Sequence, residues 1–316
     1  MIEFEERFRT EEACIEYLFK LRWPEGFRCP RCRHSEAWHI RRGLYKCAHC
    51  RFETSVTAGT IFQDTRKPLR LWFRAIWHLT SQKYGANALG LKRVLGLGSY
   101  ETAWMWLHKL RRAMIRPGRD RLSGTVQVDE TYIGGEKPGK RGRGATGKTL
   151  VVVMVEAKEG KTARIRLRRV PDASGPSLEG AVKECVEPGS TVQTDGWGGY
   201  GRLSELGYEH EVIRKEVAVG KNLLPKVNKV VSLIKRWLLG TYQGRVEPSH
   251  LDYYLDEYTF RFNRRTSRSR GKLFYRLVEQ AVAIAPVPGQ DIRGGRTSPW
   301  ITIYWHRWSQ VDMHIP

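Results

Sequence analysis

Four cysteines in the first fifty residues constrain this chain more than any other feature. Cys29 and Cys32 form one CxxC pair and Cys47 and Cys50 a second, with fourteen residues between the pairs, in "CPRCRHSEAWHIRRGLYKCAHC". Each pair sets two thiolates on one tight turn, and two such knuckles assemble a tetrahedral site suited to Zn²⁺. The spacer reads as a strand pair, "AWHI" and "LYKC", turning at Arg42-Gly43. Four thiolates close the coordination sphere and leave no position for water, so the site is expected to be structural. His34 and His49 are reserve ligands with no place to fill. Cys14 and Cys185 lack such partners and read as small buried residues. Residues 1–60 are therefore expected to be a zinc ribbon with a short N-terminal helix.

Charge narrows the choice of partners. Lys and Arg number 55 against 33 Asp and Glu, a net charge of +22 in 316 residues. The excess is spread along the chain, and a polyanion, DNA or RNA, is the expected partner; a merely basic surface is the alternative. Arg28, Arg31, Arg33, Arg41, Arg42 and Arg51 crowd the cysteines, which suggests that the ribbon touches DNA. No apolar run reaches the length of a membrane span, and "MIEFEERFRTEEAC" lacks an apolar signal core. The expected location is the cytoplasm, in association with the nucleoid, where cysteines serve metals before disulfides.

Residues 61–118 read as helices. Leu69, Trp72, Phe73, Ile76, Trp77 and Thr80 give an amphipathic helix behind Pro68. "NALGLKRVLGLGSYETAWMWLHKLRRAM" then reads helix, Gly-containing turn, helix, with Ser99 as N-cap. Ala103, Leu107, Leu110 and Met114 share one face of the second helix. His108, Lys109, Arg111 and Arg112 lie largely off it, and the last three are candidate DNA contacts in a helix-turn-helix.

"GRGATGKT", residues 142–149, matches the P-loop pattern in the wrong setting. A P-loop follows a strand and opens a helix. Here a Gly/Lys/Arg loop precedes it and the strand-like "LVVVMVEA" follows, so no nucleotide is expected. Lys137, Lys140, Arg141, Arg143 and Lys148 read instead as a basic loop able to grip phosphates.

The chemistry lies in residues 119–245. "TVQVDETYIG", "LVVVMVEAKE" and "TARIRLRRV" are three consecutive strands. The helix "SLEGAVKECV", the strand "STVQTDG", a helix over "WGGYGRLSELG", a weaker strand "HEVIR" and a helix from near Lys226 follow. The result is a mixed sheet flanked by helices, an α+β core. Asp129 sits within the first strand and Asp195 ends the fourth. If those strands are neighbours, the two carboxylates meet. Such a pair can hold Mg²⁺ or Mn²⁺ for in-line displacement at phosphorus. Glu130 points to the opposite sheet face.

The stretches "WPEGFRCPRC", "SVTAGTIFQDTRKPL", "VDETYIGG", "GRGATGKT", "TDGWGGY", "KRWLLGTYQG" and "HLDYYLDEYTFRFNRR" run in order from about residue 15 to 266. In them the chain resembles the bacterial insertion-sequence transposases of the ISXO type. The resemblance implies a ribonuclease H-like core and a DDE-type, metal-dependent transposase that cuts and rejoins DNA at element ends. It implies double-stranded DNA partners, the terminal repeats and the target, and a homodimer or larger assembly on DNA. Asp129 and Asp195 match the first two metal ligands. The family's third acid stands seven residues before a helical lysine; that lysine matches Lys235, and the third position holds Asn228. Arg236, beside it, is a further candidate DNA contact. Asp252, Asp256 and Glu257 are rival acids for the third place. Leu251, Tyr254, Leu255, Tyr258 and Phe262 mark the packed face of their helix, and Glu257, off that face, can reach Arg261.

Residues 246–316 hold C-terminal helices, including "KLFYRLVEQAVAI", and an aromatic tail from about Ala285 with no assigned role. Two rival functions remain at this point: a non-catalytic, domesticated DNA-binding regulator, and a P-loop ATPase acting on nucleic acid.

Overall fold

The computed structural model describes residues 2–41, 43–116, 118–134, 148–213, 223–244, 246–267, 269 and 271–295. The loop holding Lys137, Lys140, Arg141 and Arg143, most of "GRGATGKT", Arg42 and the tail beyond 295 lie outside them. The chain divides into two compact units, Met1–Pro117 with Arg268–Arg293, and Gly118–Ser267. Ribbon and helical segment thus share one unit, and the sequence boundary at 245 falls inside the other. None of the described helices is long and apolar enough to cross a membrane.

In the first unit, α1 (Ile2–Arg7) and α2 (Glu11–Arg22) precede a three-stranded antiparallel sheet of β1 (Ala37–Arg41), β2 (Leu44–Cys47) and β3 (Glu53–Ser55). Gly43 turns β1 into β2 with φ +67°, a conformation glycine adopts without strain. Three helices follow, α3 (Leu69–Ser81), α4 (Ala88–Leu95) and α5 (Tyr100–Ala113). Asn87 caps α4 through Gly90 N, Gly96 ends it in the left-handed region, and Ser99 Oγ accepts from Glu101 N at 3.1 Å to start α5. The expected order of helix, Gly-containing turn and helix is present in this stretch. α9 (Gly271–Ala283), a helix from the C-terminal part of the chain, also belongs to this unit, and its Ala281 carbonyl accepts from Ile61 N.

The second unit is the mixed sheet. Its order is β6-β5-β4-β7-β8, from β4 (Thr125–Ile133), β5 (Thr149–Lys158), β6 (Lys161–Val170), β7 (Thr191–Thr194) and β8 (Glu209–Val212). The first three strands pair antiparallel; β4–β7 and β7–β8 are parallel. β5 is apolar on both faces because both are covered. Leu150, Val152 and Met154 pack beneath α6 (Gly175–Cys185), with Val126 and Val128 of β4. Val151, Val153 and Val155 pack beneath α7 (Pro225–Tyr242) and α8 (Leu251–Phe262). The face of α8 read from the sequence, Leu251 to Phe262, lies in that second layer. The expected helix over "WGGYGRLSELG" is a short 3-10 turn, Gly198–Tyr200, followed by further turns. Gly198, Gly199, Gly201 and Gly207 disfavour a continuous helix there.

Candidate functional site

Two five-residue stretches nearly repeat: Thr-Val-Gln-Val-Asp over 125–129 and Thr-Val-Gln-Thr-Asp over 191–195. The sheet lays them side by side in parallel register, Thr125 against Thr191, Val126 against Val192 and Gln127 against Gln193. Two residues further along each stretch stand Asp129, within β4 on the face that carries Gln127, and Asp195, just past the end of β7. Gln127 Nε2 donates to Gln193 Oε1 at 3.2 Å, and Gln193 Nε2 to Glu211 Oε2 at 2.9 Å. The repeat was the sequence signal for this register, and Gln127 and Gln193 are site-building residues that the sequence reading passed over.

The glutamine of β4 also fixes the helix. Lys226 N, in the first turn of α7, donates to Gln127 Oε1 at 3.0 Å. At the other end, Lys235 feels the charge of Lys148, which directly precedes β5, at the level of Ile133. The first of these points ties the start of α7 to β4, and the second sets Lys235 near the start of β5. Val227, Val230, Ile234, Trp237 and Leu238 turn into the core and leave Asn228 and Lys235 exposed. Seven residues correspond to about 10 Å of rise, with both side chains on one flank.

The loop after Asp195 is tightly fixed. Asp195 Oδ1 accepts from Trp197 N at 3.0 Å, and Trp197 Nε1 donates to the Ala173 carbonyl at 3.1 Å. Gly196 has φ +85°, and a Cβ at Gly199 would fall within 2.9 Å of Leu178, the Ala173 carbonyl and the Trp197 indole nitrogen. Buried Tyr200 donates its hydroxyl to Glu130 Oε2 at 3.1 Å. Burial first, then the Glu130, Asp129 and Asp195 charges, raises the phenol's pKa far above its ordinary value, so it stays a donor. Glu130 is thus engaged on the α6 side of the sheet, the opposite face from Asp129.

The rival acids have other partners. Asp252 pairs with Arg169 at 3.0 Å. Glu257 accepts from Arg261 Nε at 2.8 Å and from the Tyr242 hydroxyl at 3.2 Å. Glu257 is fully buried, and Asp256 is buried as well. That corrects the expectation that Glu257 stands clear of the packed face: α8 is buried on every side from Leu251 to Phe260. Among the described residues, the cysteines are the one set of three or more His, Cys, Asp or Glu ligand atoms gathered within 4.8 Å.

In that set, Cys29 Sγ lies 3.6 Å from Cys50 Sγ, and Cys32 Sγ 3.5 Å from Cys47 Sγ. Tetrahedral bonds of about 2.3 Å to zinc require sulfurs about 3.8 Å apart, so the donor set fits the ion. The knuckles repeat each other in backbone as well: Arg33 N donates to the Cys29 carbonyl and Arg51 N to the Cys47 carbonyl, each arginine at positive φ. Cys14 and Cys185 are both buried, as expected, and Cys185 lies in the apolar layer on the α6 side of the sheet.

The basic candidates divide. Arg236 and Lys235 are exposed on α7, and Lys148 is half-buried beside Lys235. Partial desolvation of the amine against α7 and its surroundings, then the Lys148 charge, lowers the Lys235 pKa although the residue as a whole is exposed. Lys109 and Arg112 are half-buried on α5. Arg111 is 1% exposed, with its guanidinium 3.4 Å from His108 Nε2. It packs inside the helical unit and offers no surface to a phosphate, because the buried face of α5 is wider than its apolar residues imply.

Comparison with known proteins follows the same division of the chain. Residues 9–53 match a family model described as a transposase zinc-ribbon domain, and residues 121–263 one described as an ISXO2-like transposase domain. Over 292 residues the chain is 26% identical to an uncharacterized protein in transposable element ISH50 of Halobacterium salinarum; the match covers 84% of this chain and 94% of that one.

Proposed function

We propose that the chain, which matches the transposase zinc-ribbon domain over residues 9–53 and the ISXO2-like transposase domain over residues 121–263, is a transposase that cuts and rejoins DNA with Asp129, Asp195 and Asn228 as its divalent-metal ligands. The observation that supports this reading is the parallel register of Thr125–Gln127 with Thr191–Gln193, since Asp129 and Asp195 each follow two residues beyond it.

Two carboxylates and an amide oxygen are hard donors, suited to Mg²⁺ or Mn²⁺ rather than to a soft-ligand metal. The bound cation would activate the attacking oxygen and stabilise the leaving one in an in-line displacement at phosphorus. Asp129 and Asp195 supply the negative charge, and Asn228 supplies a neutral oxygen from α7. The Gln127 bridge holds that helix to β4, so strand and helix donors keep their spacing. Lys235 and Lys148 form no ion pair among the described residues and concentrate positive charge beside the site, where a DNA phosphate completes the charge balance. Arg236, Lys109, Arg112 and the basic residues of 137–143 are proposed DNA contacts on the same electrostatic ground. Zn²⁺ in the four-cysteine site acts as a structural ion that holds the ribbon, and the oligomer expected on DNA brings two element ends together.

The test is strand cleavage of DNA carrying the element's ends, with Mg²⁺ or Mn²⁺ present. Asp195→Ala is expected to abolish cleavage, and Asn228→Glu to retain it at lower metal concentration than wild type. Cleavage by Asp195→Ala at the wild-type rate would overturn the ligand assignment, and absence of cleavage by the wild type would favour the non-catalytic, DNA-binding regulator.

A further inference from the structure

Trp38 is set in a place where a structural tryptophan is not expected. It lies on β1, the edge strand of the ribbon sheet, 49% exposed. Every residue of β1 after Ala37 is exposed. The neighbouring aromatics behave differently: Tyr45 of β2 packs against Phe19, Trp23 and Phe27. Trp38 pairs in register with Lys46, whose side chain meets Glu53 at 3.5 Å. The guanidinium of Arg51, from the second cysteine knuckle, sits 4.4 Å from the Trp38 ring centroid.

We propose that Trp38 and Arg51 form a stacking platform on the ribbon for an unpaired nucleotide of the DNA substrate. The argument is one of chemistry and charge. An indole offers one N–H donor and no acceptor, so it cannot read a base edge through a bidentate pattern; its binding surface is the ring face. Bases within a duplex already stack on their neighbours, and a free π-face comes from an unpaired base. Arg28, Arg31, Arg33, Arg41 and Arg51 are exposed around the strand, against Glu36 and Glu53. This surplus favours a polyanion and disfavours the other occupant of a free strand edge, a second copy of the same strand, which would bring two arginine clusters together. A bulge between His39 and Arg41 further interrupts that edge as a pairing template. The proposal rests on the reading of the chain as a DNA-cutting enzyme, whose strand ends supply bases that have lost a stacking neighbour.

The experiment compares binding of the zinc-loaded full chain, without divalent catalytic metal, to three labelled DNAs: a blunt duplex, the same duplex with a four-nucleotide single-stranded tail, and that duplex with an abasic tail of equal charge. Wild type is expected to bind the tailed duplex about fivefold or more tighter than the blunt one, in line with the loss seen when one base–aromatic stack is removed. The abasic tail should lose that preference, a readout that needs no variant. Trp38→Ala should lose it too, and Trp38→Phe should keep part of it. Equal binding of all three DNAs by wild type overturns the proposal. So does a Trp38→Ala chain that keeps zinc and the tail preference, or one whose only change is its oligomeric state by light scattering. Because no cleavage is read, an inactive catalytic site leaves this result unchanged.

Discussion

Glu257→Gln separates a structural acid from a metal ligand. The Glu257 side chain is 0% exposed and the Arg261 side chain 12%, joined at 2.8 Å, with the Tyr242 hydroxyl on the second carboxylate oxygen. Glutamine keeps the shape and an acceptor oxygen but removes the charge that compensates a nearly buried guanidinium. Breaking a buried pair from one side costs about 3–5 kcal/mol; with an acceptor retained, the lower end, about 3 kcal/mol, is the expected loss. For a unit of about 150 residues that is a fall of about 6–12 °C in melting temperature. Asn228→Ala, an exposed helix position, should change stability by no more than about 0.5 kcal/mol. The assay is thermal unfolding with and without millimolar Mn²⁺, since an ion that binds the folded state alone raises its melting temperature. Glu257→Gln should melt lower and keep the Mn²⁺-induced rise. A Glu257→Gln protein that melts like wild type but has lost the Mn²⁺ response would refute the reasoning and give Glu257 the third ligand position.

Further outcomes follow from the same geometry. Gln127→Ala removes the bonds to Lys226 N and Gln193 at once, and should lower unfolding stability in urea by about 2–4 kcal/mol, at about 1 kcal/mol per bond plus the desolvation of the orphaned groups; an unchanged midpoint would mean that this bridge does not hold α7. Removing zinc with a strong chelator, or changing Cys47 to Ser, should abolish amide-exchange protection in β1–β3, and protection that survives full metal removal would contradict a metal-held ribbon. Glu156 is buried, which by itself raises its pKa, but the bonds from Arg164 and Ser123 N outweigh burial and hold it below the ordinary value. A depressed carboxyl stabilises the fold above its unfolded pKa, so this contribution is complete at neutral pH and is lost as pH falls below about 4.3. Glu156→Gln should therefore flatten the acid limb of the stability profile, measured as urea midpoint against pH.

Much of this structure can be read from short stretches because its determinants are local. The cysteine spacing carries the ribbon, Ser99 and Asn87 carry their helix starts, and the apolar run of β5 announces a strand covered on both faces. The neighbouring of β4 and β7 depends on strand order, which no local pattern fixes, yet the near-repeat of Thr-Val-Gln-x-Asp held their register in plain view. Burial of charged side chains was the least legible property. Arg111 and Glu257 sit at helix positions that polarity alone assigns to the surface. His108 beside the first and Arg261 beside the second make burial tolerable, and such compensation is visible only once the chain is folded. The turn after Asp195 misled for a related reason: Gly199 is small because Leu178 and the Ala173 carbonyl approach it, a tertiary contact that looks in sequence like one weak residue of a helix.

Mn²⁺ affinity of the metal site bears most directly on the central claim that Asp129, Asp195 and Asn228 form one centre. Titration of the zinc-loaded chain with Mn²⁺, followed by the electron paramagnetic resonance of the free ion, gives the affinity without any DNA substrate. Asp129→Asn and Asp195→Asn should each weaken binding by tenfold or more, the order expected when a ligand charge is removed from a hard-cation site, and Asn228→Asp should tighten it. Wild-type affinity in both aspartate variants would contradict the account.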